Sequence, residues 1–159
     1  LYTIYRECSL DGLSVAFVGE LDQGRTARSL AYLLAKFDRV KIHFVAPAGM
    51  QMKPDILDDL DRHNVSYALE SDIDSVVGRV NVVYQTRIHP ERLADRDSFS
   101  ISSTVLQRMK RDAMILHPLP RTAELDKTVD DDPRAKYFLQ ARNGLFVRMA
   151  LLTMLLDKD

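Results

Sequence analysis

Cysteine, net charge and long apolar runs are all scarce in this sequence, and each shortage closes off a class of protein. Cys8 is the only cysteine, so there is no disulfide framework and no cysteine-based metal spacing. A reducing compartment is favoured, and a buried structural thiol is a better reading of Cys8 than a nucleophile. Twenty-two Lys and Arg residues nearly cancel 23 Asp and Glu, leaving a net charge of -1. The totals therefore carry no electrostatic footprint for nucleic acid or an anionic membrane. No apolar run approaches the roughly 18 residues of a membrane span. The first residues, LYTIYREC, lack the basic start and apolar middle of a signal peptide. No internal repeat, low-complexity tract or internal linker is visible. The expectation is a soluble, cytoplasmic protein acting on a small polar ligand.

What is present is a well-stocked core. With 46% apolar residues over 159 positions, the chain reads as one domain, residues 1–159, able to bury about two thirds of the surface its unfolded form exposes. Short β-branched or aromatic runs occur at SVAFVGE (14–20), KIHFVAP (41–47), SYALE (66–70), VNVVYQT (80–86) and AMILHP (113–118), each ending in a turn signal. Between them TARSLAYLLAKF, PDILDDLDRH, DIDSVVGR and STVLQRMKRD have helical periodicity. Near-continuous apolar strands separated by helices predict an α/β fold. It is a three-layer, Rossmann-like domain with a central parallel sheet of about five strands and helices on both faces. The segment 133–156 reads as a long amphipathic helix whose stripe of Phe138, Phe146, Met149, Leu152 and Leu156 needs cover. The stretch from Glu91 to Ser103, rich in Arg, Asp and Ser, reads as an exposed loop.

Ligands of open parallel sheets bind beyond the carboxyl ends of the strands. After the first strand comes GELDQGRT, placing Gly24, Arg25 and Thr26 at the start of the next helix. Free N–H groups and a guanidinium there suit a carboxylate or phosphate. After the fourth strand QTRIHPER puts Arg87 at a strand end, with His89, Glu91 and Arg92 just beyond. After the fifth, HPLPR brings His117, Pro118, Leu119, Pro120 and Arg121, a stiff exit from a buried strand. Two arginines at two carboxyl ends suggest a ligand with two anionic groups. The glycine spacing is not GxGxxG, which disfavours a nucleotide-binding domain.

Plainer readings stand beside these. An arginine at a strand end is often an internal ion-pair partner, and Glu91 could pair with Arg87. His117 at the edge of a core strand reads as a satisfied structural histidine, and His43 and His63 as structural or solvated. Met50, Met52 and Met109 read as core or rim filler. Asp130, Asp131 and Asp132 mimic a metal site, but acids before Pro133 read better as capping the last helix.

Taken together, VGELDQGRTARSL, YQTRIHPER, HPLPR and DDDPRAKYFLQARNGLFVRMALL resemble, in order, the aspartate-binding half of the aspartate carbamoyltransferase family, over practically the whole chain. Ornithine carbamoyltransferases share the architecture but carry a cysteine where this chain has Pro118. The resemblance implies transfer of the carbamoyl group of carbamoyl phosphate to the amine of L-aspartate, giving N-carbamoyl-L-aspartate and phosphate in pyrimidine synthesis, with no metal or redox cofactor. It implies that Arg25 and Arg87 grip the two carboxylates and that the carbonyls of Pro118 and Leu119 hold the amine. A cis bond is implied before Pro120, a conformation accessible essentially only before proline. His89, which would also bind the aspartate, stands where the family has a glutamine, and Gly24, Thr26, Glu91, His117, Pro120 and Arg121 would support the site.

Departures are equally specific. The family's Ser-Thr-Arg-Thr phosphate loop and His-Pro-x-Gln motif do not occur, Asp22 stands where some relatives have lysine, and the segment from Arg92 to Ser103 is short. The expectation is therefore one lobe of a roughly twofold larger enzyme. Residues 1–8 would be a remnant of the interdomain helix, with 133–156 packing toward an absent N-terminal lobe that binds carbamoyl phosphate. Alone the chain would be inactive; full length, it would form a homotrimer. The competing reading is a free-standing module of the same fold that binds a dicarboxylate or amino acid, or serves assembly, without catalysis.

Overall fold

The five apolar runs become five strands of one sheet in the computed structural model, which describes residues 1–89, 91–92 and 97–156: β1 Ser14–Val18, β2 Lys41–Val45, β3 Ser66–Glu70, β4 Val82–Gln85 and β5 Met114–Leu116. The helices are α1 Tyr2–Glu7, α2 Arg25–Leu34, α3 Pro54–Arg62, α4 Asp74–Val77, α5 Ser103–Arg108 and α6 Tyr137–Leu156. Single turns of 3-10 helix lie at Asp97–Phe99 and Lys127–Asp131. The strand order is β3-β2-β1-β4-β5, and every pairing is parallel.

Register turns the sequence pattern into two cores. Ile42, Val15, Val82 and Met114 lie side by side across four strands, as do Phe44, Phe17, Tyr84 and Leu116. This face packs under α1, α2 and α3 through Ile4, Leu30, Leu34, Ile56 and Leu60. The intervening residues Ala16, Val83 and Ile115 face Val76, Val77, Val105, Leu106, Val129 and Tyr137 on the opposite side. Both faces are covered, which is why the strands read as unbroken apolar runs. Each fully buried large side chain contributes about 1.5–3 kcal/mol.

Where the structure trims the expected strands, backbone chemistry explains it. β1 stops at Val18 because Gly19 takes φ +116°. A Cβ on Gly19 would lie 2.6 Å from Thr86 Oγ1 and 2.8 Å from its carbonyl oxygen, so only glycine lets the loops after β1 and β4 pass this closely.

Three expectations need correction. Part of the segment from Glu91 to Ser103 is core: Phe99, Ser100 and Ile101 are buried, and Ile101 donates its N–H to the Glu124 carbonyl at 2.9 Å. Pro90 and residues 93–96 lie outside the described residues. Second, α6 is not a simple amphipathic helix. From Leu145 to Leu156 only Arg148 and Thr153 interrupt apolar side chains that run round every face. Leu152, Met154, Leu155 and Leu156 are each more than half exposed. Its first turns are anchored instead by buried Tyr137 and by Asn143, which donates to Thr3 Oγ1 at 3.0 Å. Third, the acids 130–132 precede α6 by several residues and do not cap it; Asp130 pairs with Arg121 and Asp132 with Arg134. Cys8 is partly buried against the core, and burial pushes its thiol pKa up. Among the described residues, no helix is long and apolar enough to cross a membrane.

Candidate functional site

The winding of the sheet reverses between β1 and β4: the chain first adds β2 and β3 on one side, then crosses to place β4 and β5 on the other. A crevice at the carboxyl ends of β1 and β4 follows from that reversal. The loop after β1 delivers α2 to it. Gly24 is the residue before the helix, and a Cβ there would lie 2.9 Å from the Glu20 carbonyl oxygen, so glycine lets the helix start hug the loop. The first turn of α2 has no side-chain cap and no acidic residue, leaving its N–H groups and Arg25 facing outward unneutralised.

An open groove runs from this helix start to the turn after β5. One part, about 510 Å³, is lined by Arg25, Thr26, Ser29, Tyr84 and Gln140. The adjoining part, about 490 Å³, is lined by Thr26, Tyr84, His117, Pro118, Leu119 and Gln140, with α1 and α6 forming its far wall. Tyr84 ends the aromatic row of the core, its ring centroid 5.6 Å from that of Phe17. Burial pushes its phenol pKa up, and Thr26 and Gln140, which line the groove beside it, act the other way. Gln140 Oε1 in turn accepts the His117 backbone N–H at 3.0 Å.

The turn 117–121 is tied inward at every polar side chain. His117 is fully buried, with Nε2 at 3.0 Å from Glu124 Oε1. Burial works against ionisation of Glu124, but hydrogen bonds from His117 and Thr122 outweigh it and hold the carboxyl at about 2. The Leu119–Pro120 bond is cis, as the resemblance implied, and Leu119 takes φ +50°. Arg121, expected to support a ligand, is consumed internally: it pairs with Asp130, and its guanidinium lies 5.7 Å from the centroid of the Tyr137 ring. Among the described residues, nothing donates a hydrogen bond to the carbonyl oxygens of Pro118 or Leu119.

The loops after β1 and β4 are latched to each other. Buried Glu20 accepts from His89 Nδ1 at 2.8 Å, from the His89 backbone N–H at 3.3 Å, and from Arg92. Burial disfavours the Glu20 carboxylate, yet these hydrogen bonds hold its pKa below the ordinary value. Arg92 also makes a forked pair with Asp22, at 3.0 and 2.9 Å, which pushes the guanidinium pKa up. Asp22, where some relatives carry lysine, thus has a local partner.

The structure brings Arg25, Thr26, His117, Pro118 and Leu119 to one groove. Arg87, His89 and Glu91 lie at the neighbouring strand end, outside the groove lining. Arg25 and Arg87 are exposed and have no ion-pair partner among the described residues; Glu91 is exposed and does not pair with Arg87. Sequence reasoning missed Tyr84, Gln140, Glu124 and Glu20. The available signals were a glutamine inside the apolar run of α6 and an acid beside the apolar Leu125.

Residues 11–155 match the family described as aspartate/ornithine carbamoyltransferase, Asp/Orn binding domain. The chain is 50% identical, over 98% of its length, to the chloroplastic aspartate carbamoyltransferase of Arabidopsis thaliana, and covers 42% of that protein. It is 39% identical, over 94%, to the aspartate carbamoyltransferase catalytic subunit of Vibrio vulnificus, covering 50% of it. The catalytic subunit of M. jannaschii aspartate transcarbamoylase superposes with a TM-score of 0.92 at 39% identity, over 99% of this chain and 53% of that one. The Trypanosoma cruzi enzyme in complex with carbamoyl phosphate and aspartate superposes with a TM-score of 0.88 at 36% identity, over 94% and 51%. The chain spans about half the length of these relatives.

Proposed function

The chain belongs to the aspartate/ornithine carbamoyltransferase family, and on that premise we propose that it is the aspartate-binding half of an aspartate carbamoyltransferase. The observation that carries this reading is a complementarity of unpaired groups. At the carboxyl edge of the sheet two guanidiniums, Arg25 and Arg87, lack anionic partners among the described residues, and two carbonyls, of Pro118 and Leu119, lack donors among them. An amino acid with two carboxylates and one amine supplies what each lacks. A guanidinium fork suits a carboxylate, making two parallel charge-assisted hydrogen bonds, while carbonyl oxygens can only accept, which suits an amine. Ornithine, whose second charged group is a cation, would set a positive charge against an arginine.

In the proposed reaction the amine nitrogen of L-aspartate attacks the carbonyl carbon of carbamoyl phosphate. A C–N bond forms, the C–O bond to phosphate breaks, and a proton leaves the amine, yielding N-carbamoyl-L-aspartate and phosphate. This half of the site holds and orients the amine, a contribution of proximity. Carbamoyl phosphate would be bound by the other half of a full-length polypeptide, three copies of which would assemble as a homotrimer. The lone Cys8 supports a reducing compartment: the cytoplasm is the form read from composition, and the plastid is the form named in the plant relatives.

Titration calorimetry of the chain with L-aspartate and with L-ornithine tests the reading. Binding of aspartate in clear preference to ornithine is expected. Equal binding of both, or of neither, would contradict it.

A further inference from the structure

The buried polar atoms behind the turn after β5 assign a single protonation pattern, and that pattern has a purpose. Leu119 donates its backbone N–H to His117 Nδ1 at 2.9 Å. An amide N–H can only donate, so Nδ1 must carry the lone pair and the ring proton must sit on Nε2. Nε2 faces Glu124 Oε1 at 3.0 Å, and the same carboxylate accepts the Thr122 backbone N–H at 2.8 Å and the Thr122 hydroxyl. Two N–H donors and a hydroxyl converge on one carboxyl group, an arrangement that suits its ionised, acceptor-only form. Leu119 sits at φ +50°, a region costly for a non-glycine residue, so its conformation depends on being held.

We propose that His117 and Glu124 are positioning residues for the amine of the amino-acid substrate: Glu124 fixes the Nε2–H tautomer of His117, whose Nδ1 then draws the Leu119 N–H inward and leaves the Pro118 and Leu119 carbonyls free to receive the amine. The proposal rests on the aspartate-binding reading above. It adds that the turn's aim is set by a tautomer, with neither residue touching the ligand. Gln140 completes the arrangement by accepting the His117 N–H, so both amide N–H groups of the turn are satisfied within the protein.

The test uses two substitutions that divide the ring in half. In His117→Asn the side-chain oxygen falls where Nδ1 was and still accepts the Leu119 N–H. In His117→Gln the side-chain amide reaches Glu124, but nothing accepts from Leu119. L-Aspartate affinity is measured by calorimetry, with thermal melts of each variant, and the tautomer is read from the ring-nitrogen NMR shifts of wild-type and Glu124→Gln protein. The expected results are an Nε2–H ring in wild type that becomes mixed in Glu124→Gln, and at least about tenfold weaker aspartate binding by His117→Gln than by His117→Asn. An Nδ1–H ring in wild type, or equal affinities in the two variants while wild type binds, would overturn the positioning role and leave the aspartate reading intact. A wild-type chain that shows the Nε2–H ring but binds no aspartate would overturn the aspartate reading instead, and the role with it.

Discussion

Two loops at the same edge of the sheet treat their arginines in opposite ways. In the turn after β5, Arg121 is half-buried and committed to Asp130 and Tyr137, and every polar side chain behind it has a partner. At the mouth between β1 and β4, Arg25 and Arg87 stand exposed without partners among the described residues, while the neighbouring Arg92 is fully engaged by Glu20 and Asp22. The same side chain is scaffold in one place and available in the other, and burial with pairing separates the two. A committed arginine should report in stability; an available one should report in affinity.

The largest effect expected on the scaffold side comes from Glu124→Ala. It removes an ionised acceptor of three hydrogen bonds, one of them from the buried His117 ring, and a loss of about 3–5 kcal/mol in urea unfolding is predicted, more than the roughly 1.5–3 kcal/mol of a single charged hydrogen bond. A loss under about 1 kcal/mol would mean the network is not part of the scaffold. Acid should act on the same group. Its pKa, held at about 2, lies below the ordinary 4.5, so its stabilisation is complete above pH 4.5 and is lost as pH falls toward 2. Glu20, Asp130 and Asp132 are depressed as well and act in the same direction. Unfolding free energy should therefore fall between pH 5 and 3 in wild type, and Glu124→Gln should show a shallower fall in the same range. Identical slopes would refute the assignment. Arg121→Ala comes next, with a predicted loss of about 1.5–3 kcal/mol, the scale for a charged hydrogen bond. Smallest is Met154→Lys on the apolar end of α6. That side chain is three-quarters exposed, so its melt should shift by no more than about 0.5 kcal/mol. A larger loss would mean this end of the helix is covered in solution.

The sequence was legible where one period or one residue type decided the structure. Phe17, Phe44 and Val83 are buried on a two-sided sheet, so their runs stood out as strands. Gly24 marked the start of α2, and HPLPR marked the turn. It was not legible where long-range partners decided. Phe99 and Ile101 are buried because the 124–126 segment lies against them, which the polar composition around them concealed. The acids 130–132 read as caps because Arg121 and Arg134 could not be seen as partners. Glu124 stood in plain view beside Leu125, but its importance depends on His117 seven residues earlier facing the same interior. Arg25 and Arg87 were identified from their places at strand ends, whereas their lack of partners is a property of the folded chain.

The central claim is that Arg87 serves the ligand and not the fold, and Arg87→Ala measured twice tests it most directly. The account predicts a thermal melt within about 0.5 kcal/mol of wild type, as for an exposed residue, and L-aspartate affinity weakened by about 1.5–3 kcal/mol, at least tenfold. Unchanged affinity accompanied by a clear loss of stability would contradict it and return Arg87 to the scaffold.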